Sequence, residues 1–294
     1  GIAGPHSTML LAQHGADVLK VEPLHGDWGR GMGALYGDHC AHSIAFNRGK
    51  RSIALDMKQP EALEIVRKMA AECDVAVEAF RPGVANRLGI GYEDIKKENP
   101  NVIYCSMSAW GQSGPYVEKP AHDLATEAVA GILSINIGQD GNPAIPGIAG
   151  ADMLSSMMSL SAILMALLRR KDTQEGDYID IAMADSLVAA VPNNLGSVFA
   201  HKQPPNLEEE RALGGYAMYN IYETKDGRHV VIGGSEIHFA AAILEKLGRP
   251  DLLPFCEPPP GAKQQPAKDF LKQTFLKKNQ DEWVRFFEGT NASF

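Results

Sequence analysis

What most limits the folds open to this chain is a change of period that recurs along its first half. His6 to His14 is apolar at helical spacing, Gly15 breaks the pattern, and Asp17-Val18-Leu19-Lys20-Val21 reads as a strand. Pro60 to Ala71, with proline near its start and apolar residues at Leu63, Ile65, Val66 and Met69, leads in the same way to a strand at Asp74 to Val77. Asn101-Val102-Ile103-Tyr104-Cys105 is a third strand. Strands separated by a helix can pair in parallel, because the crossover returns the chain to the same end of the sheet. The alternation therefore predicts an α/β domain around a largely parallel sheet.

The second half reads differently. Met153 to Arg170 is a long apolar helix closed by a basic tract, the pattern of a buried helix with cations at its negative end. Asp177 to Met183 then returns as a strand. From His201 to Arg211 the chain turns polar, with Pro204-Pro205 and Glu208-Glu209-Glu210, as a linker would. Tyr219 to Glu223 and His229 to Ile232 flank Lys225-Asp226-Gly227-Arg228, an Asp-Gly hairpin signal. A helix from Ile237 to Leu247 stops at Gly248, and Pro258-Pro259-Pro260 precedes two amphipathic helices. The expected organisation is a large domain over residues 1–190, a linker over 191–211 and a small α+β domain over 212–294. Gly1-Ile2-Ala3-Gly4-Pro5 reads as a turn with no strand before it, and both ends read as cut from something longer.

Composition narrows the partners. The 28 Lys+Arg against 36 Asp+Glu give a formal charge of -8, which would repel a polyphosphate backbone, so nucleic acid is not an expected partner. A ligand with a few phosphates needs only a local basic cluster. Cys40, Cys73, Cys105 and Cys256 lack CxxC or other metal-ligand spacing. They indicate neither a disulfide framework nor a metal site, and they suit a reducing cytoplasm. No apolar run reaches the ~18–20 residues of a membrane span. The longest candidate, Leu160 to Leu168, stops at Arg169, so no membrane partner is expected.

Two segments concentrate reactive side chains: Pro120-Ala121-His122-Asp123-Leu124 and Gly150-Ala151-Asp152-Met153. Each puts ionisable groups at a turn that opens an apolar helix. An aspartate there is commonly an N-cap. The same location also lets a carboxylate stand at a pocket mouth with its pKa set by backbone N–H groups.

Further segments set these two in a longer series. Gly4-Pro5, Gly15-Ala16-Asp17-Val18-Leu19-Lys20-Val21-Glu22-Pro23, Asn47-Arg48-Gly49-Lys50-Arg51-Ser52-Ile53-Ala54-Leu55-Asp56 and Glu78-Ala79-Phe80-Arg81-Pro82-Gly83 occur in that order. With His122-Asp123, Asp152 and Gly233-Gly234-Ser235-Glu236, they resemble the successive signature segments of the family III CoA-transferases (CaiB/BaiF type), which include the α-methylacyl-CoA racemases. The resemblance implies an enzyme with a coenzyme A thioester as substrate and no permanently bound cofactor. It also implies a Rossmann-like large domain and an interlocked homodimer. Lys58 and Arg87 resemble the family's residues for the nucleotide part of CoA, with charge-assisted bonds to phosphate expected, while Leu55, Phe80 and Leu88 would offer apolar surface to adenine and pantetheine. Family members often carry Asn where Ala79 stands, a departure that removes one polar contact.

Asp152 corresponds to the family's catalytic aspartate. In the transferases this carboxylate attacks the acyl-CoA carbonyl, forming a mixed anhydride and expelling CoA thiolate, and an acceptor carboxylic acid then recovers the CoA. In the racemases it is one of two bases on opposite faces of the α-carbon, partnered by the histidine of a Gly-His-Asp motif and assisted by a glutamate of the small domain. His122 and Glu236 stand at those positions. Leu124-Ala125-Thr126 and Met153-Leu154-Ser155-Ser156 depart from the racemase pattern, whereas Leu124, Ala128 and Gly131 fit the transferase spacing Asp-Leu-x-x-x-Ala-x-x-Gly. CoA transfer between an acyl-CoA and a carboxylic acid is the leading expectation, with racemisation the alternative. The acyl group is left open, because loops such as Ile135 to Pro146 carry no legible conformation.

An NAD-dependent oxidoreductase would share the α/β alternation. It needs G-x-G-x-x-G after a strand, and Gly29-Arg30-Gly31-Met32-Gly33-Ala34 has the wrong spacing and follows none. A non-catalytic CoA-binding protein is opposed only by the intact Asp152 constellation.

Overall fold

The computed structural model describes residues 1–138 and 140–294, and the chain divides into two compact units, Gly1–Val191 and Pro192–Phe294. The first opens with helix α1 (Ala3–Gln13), which turns at Gly15, φ +100°, into strand β1 (Leu19–Glu22). Only glycine takes that φ without strain. The residues read as an opening turn are instead helical from Ala3. Pro5 fits there because the first helical turn has no use for its missing N–H.

Strands β2 (Leu35–Tyr36) and β3 (His39–Cys40) form a small antiparallel ladder before helix α2 (Ala41–Asn47). Strand β4 (Arg51–Ala54) pairs with β1 in parallel, Leu19 opposite Arg51. Helix α3 (Pro60–Glu72) leads to β5 (Val75–Glu78), and α4 (Val84–Arg87) and α5 (Tyr92–Glu98) lead to β6 (Ile103–Ser108). Helices α6 (Asp123–Val129), α7 (Ile132–Ile135) and α8 (Gly150–Thr173) precede β7 (Asp177–Ala182), which is followed by α9 (Met183–Ala190). Strands β5, β6 and β7 form a parallel sheet in that order. The expected parallel pairing is thus present, but in two separate ladders.

Strand β6 is buried along its whole length because both its faces are covered. Cys105 and Met107 point to a cluster with Ile163 of α8 and Ala3 of α1. Val102 and Tyr104, of opposite parity, pack with Ala70 of α3 and Ile95 of α5.

Helix α8 departs from the buried helix its composition predicts. Ala151, Ser155, Ser159, Ile163 and Ala166 are buried, but Met157, Leu164, Met165 and Leu168 are exposed. Small residues fill the inner face because α1 lies close against it, with His6 Nδ1 2.7 Å from Ser156 Oγ. By length and composition alone α8 could cross a membrane, which corrects the expectation that no apolar stretch of this chain is long enough. Serines interrupt its apolar residues, and Ser155, Ser156 and Ser159 occupy the face turned to the unit's interior.

In the second unit, helix α10 (Pro192–His201) occupies the first part of the stretch expected to be a linker. Leu195, Val198 and Phe199 recur there at helical spacing behind a proline that suits a first turn. Strands β8 (Tyr219–Glu223) and β9 (His229–Gly233) form the Asp-Gly hairpin, Tyr219 opposite Gly233. Helices α11 (Ile237–Lys246), α12 (Gln265–Phe275) and α13 (Gln280–Phe287) complete the unit. They close over one core that includes Tyr222, Ile232, Leu244, Phe275, Trp283 and Phe287.

Candidate active site

Asp152 is not a cap. The N-cap of α8 is Ala149, and Asp152 is the third helical residue. A helix start leaves backbone amides without partners. Two acids of α6 receive them: Gly150 N–H donates to Glu127 Oε1 at 2.8 Å, and Asp152 N–H donates to Asp123 Oδ1 at 3.0 Å. Asp123 and Glu127 stand four residues apart, which puts both on the α6 face turned to α8. Gly150 suits this approach, since a Cβ there would lie 2.7 Å from Glu127 Oε1 and displace that carboxyl.

The electrostatics follow from the enclosure. Burial pushes the Asp152 carboxyl above the ordinary aspartate value, the charge of Asp123 adds to this, and the Ala3 N–H at the start of α1 pulls the other way. His122 also lowers it, so the ring stands within electrostatic reach of Asp152, although no hydrogen bond joins the two side chains among the described residues. Glu127 is 1% exposed. Burial raises its pKa, the Gly150 N–H opposes, and neighbouring Asp123 raises it further.

His122 is the N-cap residue of α6, with its carbonyl oxygen accepting from the N–H of Thr126 at 3.0 Å and from its Oγ1 at 3.1 Å. Glu236 belongs to the second unit, where it precedes α11 and is exposed. Its carbonyl oxygen, not its side chain, receives the N–H groups of Phe239 and Ala240. The first unit thus gathers Asp152, Asp123, Glu127 and His122.

Leu55 follows β4, its N–H donating to the Glu22 carbonyl at 2.8 Å, and Phe80 follows β5, its N–H held by Glu78 Oε2 at 2.8 Å. Both positions lie just past the C-terminal ends of parallel strands, where open α/β sheets place their ligands. Phe80 is 43% exposed. Lys58 is exposed ahead of α3, beside Asp56. Arg87 closes α4 with its guanidinium turned back toward Gly83, where a Cβ would lie 3.2 Å from Nη1, and half-buried Leu88 follows it. Neither cation forms an ion pair among the described residues. In the loop from Ile135 to Pro146, Asn136 Nδ2 donates to the Ala144 carbonyl at 2.7 Å, and Gln139 lies outside the described residues.

Sequence reasoning singled out Asp152 and His122 but missed Glu127 and the bracing by Asp123. The available signal was the four-residue spacing of two acids on a helix next to the Asp152 turn.

Comparison with known proteins gives this geometry a context. Over 302 residues the chain is 34% identical to succinyl-CoA:glutarate CoA-transferase of Mus musculus, covering all of this chain and 68% of that protein. Over 297 residues it is 34% identical to the alpha-methylacyl-CoA racemase of Mus musculus, covering 98% of this chain and 72% of that one. A crystal structure of a CaiB/BaiF family protein from Brucella suis superposes with a TM-score of 0.83 at 30% identity, covering 100% of this chain and 80% of the other. Matched over residues 1–294 by the model of CoA-transferase family III, the chain belongs to that family and is one of its enzymes.

Proposed function

We propose that the protein moves CoA between an acyl-CoA thioester and a carboxylic acid, with Asp152 as nucleophile. The observation that carries this reading is the Asp152 carboxylate itself, half-buried, with its main-chain N–H braced by Asp123 and its pKa raised by burial. One carboxylate oxygen attacks the thioester carbonyl carbon, the C–S bond breaks, and CoA leaves as its thiolate, giving an acyl-aspartyl anhydride. The acceptor carboxylate then attacks the aspartyl carbonyl carbon and the first acid leaves as its carboxylate; the CoA thiolate attacks the acceptor's acyl carbon, and Asp152 leaves as its free carboxylate. Lys58 and Arg87 would meet the CoA phosphates while Leu55, Phe80 and Leu88 line the apolar arm, a reading supported by two exposed cations without an ion pair among the described residues and by the setting of Leu55 and Phe80 past the strand ends. Short dicarboxylic acids are the first acceptors to assay, because the mouse relative is named for succinyl-CoA and glutarate. A homodimer is part of the proposal, and the exposed apolar residues of α8 are compatible with it.

Hydroxylamine present during turnover should trap the acyl group as a hydroxamate, and Asp152→Ala should abolish both trapping and exchange. Arg87→Ala should raise KM for the thioester about tenfold with kcat little changed, the worth of one charge-assisted bond. Continued transfer by Asp152→Ala would overturn the assignment.

Racemisation is the second reading, favoured by the electrostatic reach of His122 to Asp152. It requires a 2-methylacyl-CoA to take up deuterium at its α-carbon from deuterated water without an acceptor acid. His122→Ala and Asp152→Ala should then each cost about 10²–10⁴-fold. Under the transferase reading His122→Ala costs about tenfold, because a nucleophilic carboxylate needs no base.

A further inference from the structure

Among the described residues, Glu127 is an enclosed acid beside the Asp152 turn with one carboxyl oxygen that finds no donor: Oε1 takes the Gly150 N–H, while Oε2 is buried and has no hydrogen-bond partner. The group beside it is the carboxyl of Asp123, which is itself committed to the Asp152 N–H through Oδ1. Two ionised carboxyls cannot share that enclosure cheaply, since each buried charge needs a partner and these would repel. A single proton removes the conflict and turns Oε2 into a donor.

We propose that Glu127 is a positioning residue for Asp152, its protonated Oε2 donating to Asp123 while its Oε1 holds Gly150, so that one hydrogen-bonded chain fixes the first turn of α8. This rests on the reading of Asp152 as nucleophile. The carboxyl touches no reacting atom. It acts through the backbone at Gly150 and through Asp123.

The neighbouring charges decide whether such a proton is held. On its own helix Glu127 meets Asp123, and His122 stands at that helix's start. Of the helices packed on α6, α8 brings Asp152, α9 brings only the exposed Asp185 near its start, and α7 has no charged residue. The immediate surroundings are acidic and enclosed, and burial raises the Glu127 pKa, as does Asp123.

The sign follows. A carboxyl whose folded pKa is raised stabilises the fold most fully below its unfolded value, and that contribution is lost as pH rises through the folded value. Activity that depends on the proton falls as pH passes the folded value.

The test compares Glu127→Gln with Glu127→Ala in the full-length enzyme, reading kcat, KM and melting temperature across pH. Glutamine keeps the acceptor for Gly150 and donates to Asp123 without any titration. Glu127→Ala should lower kcat about tenfold to a hundredfold with KM little changed, the scale of a misplaced catalytic group. Glu127→Gln should restore kcat to within about fivefold of the native enzyme, and the alkaline fall assigned to Glu127 should be absent from its pH profile. The native melting temperature should decline relative to Glu127→Gln as pH rises above the ordinary glutamate value. Two results would overturn the inference: a folded Glu127→Gln as impaired as Glu127→Ala, or native and Glu127→Gln profiles that run parallel in both activity and melting temperature. Activity surviving in Asp152→Ala would instead sink the nucleophile reading, while the melting comparison would still report on the Glu127 proton.

Discussion

The two units differ in how their apolar packing is distributed and in whether they enclose an acid. The second closes a single apolar cluster in which Phe275, 0% exposed, meets Trp283 edge-on with ring centroids 5.1 Å apart and Tyr222 at 5.4 Å. The first spreads its apolar packing over three smaller clusters and encloses Glu127, Ser155 and Ser156 between helices while leaving Met165 and Leu168 outside. Buried polar groups stabilise little unless every partner is in place, but they fix geometry that apolar packing leaves loose. The largest apolar cluster and the enclosed acid beside Asp152 therefore lie in different units.

Four substitutions would sharpen that contrast or break it. Asp152→Ala should cost about 10⁴-fold or more in kcat, the scale of a lost nucleophile, yet leave the melting temperature unchanged or raised, because a half-buried carboxyl next to Asp123 is removed. A fall of many degrees would show that the site also carries the fold. Phe275→Ala should do the reverse, destabilising the second unit by about 3–5 kcal/mol in urea unfolding read by Trp283 fluorescence, with Trp28 and Trp110 replaced.

Glu22→Gln comes next, at about 1–3 kcal/mol. Glu22 is buried and takes bonds from Arg30 Nη2 at 2.6 Å, Ser52 Oγ at 2.6 Å and Asp27 N–H at 2.9 Å. The Arg30 bond is the largest cause of a strongly depressed pKa, against the opposing pull of burial. A depressed carboxylate stabilises above its unfolded pKa and loses that stability as pH falls toward the folded one. The native advantage over Glu22→Gln should therefore shrink in acid, below the ordinary glutamate range, as seen in urea midpoints taken between pH 6 and about pH 3. A difference that stayed constant with pH would mean that Glu22 acts by shape alone.

Met165→Gln should have the smallest effect on either unit's own stability, within about 0.5 kcal/mol, since the residue is exposed. Sedimentation of the same variant is the sharper reading. If a second copy covers this face of α8, dimer affinity falls while the unfolding midpoint of each unit holds.

Sequence by itself determined the elements whose signals are local. Each of the three strands read in the first half forms within a few residues of its expected place, because a break from helical spacing into a β-branched run is written into neighbouring residues. The hairpin at Asp226-Gly227 and the family signature around Asp152 were equally legible. Helix α10 was obscured by the prolines and glutamates that follow it, and β4 lay unread inside a signature segment. The tertiary structure decided which face of α8 is buried, because an apolar helix has no preferred side until α1 supplies one. It also decided how Asp152 is held. The bonds that brace the α8 turn join Glu127 to Gly150 and Asp123 to Asp152, 23 and 29 residues apart in the chain. No periodicity spans such a separation, and only the packing of α6 on α8 closes it.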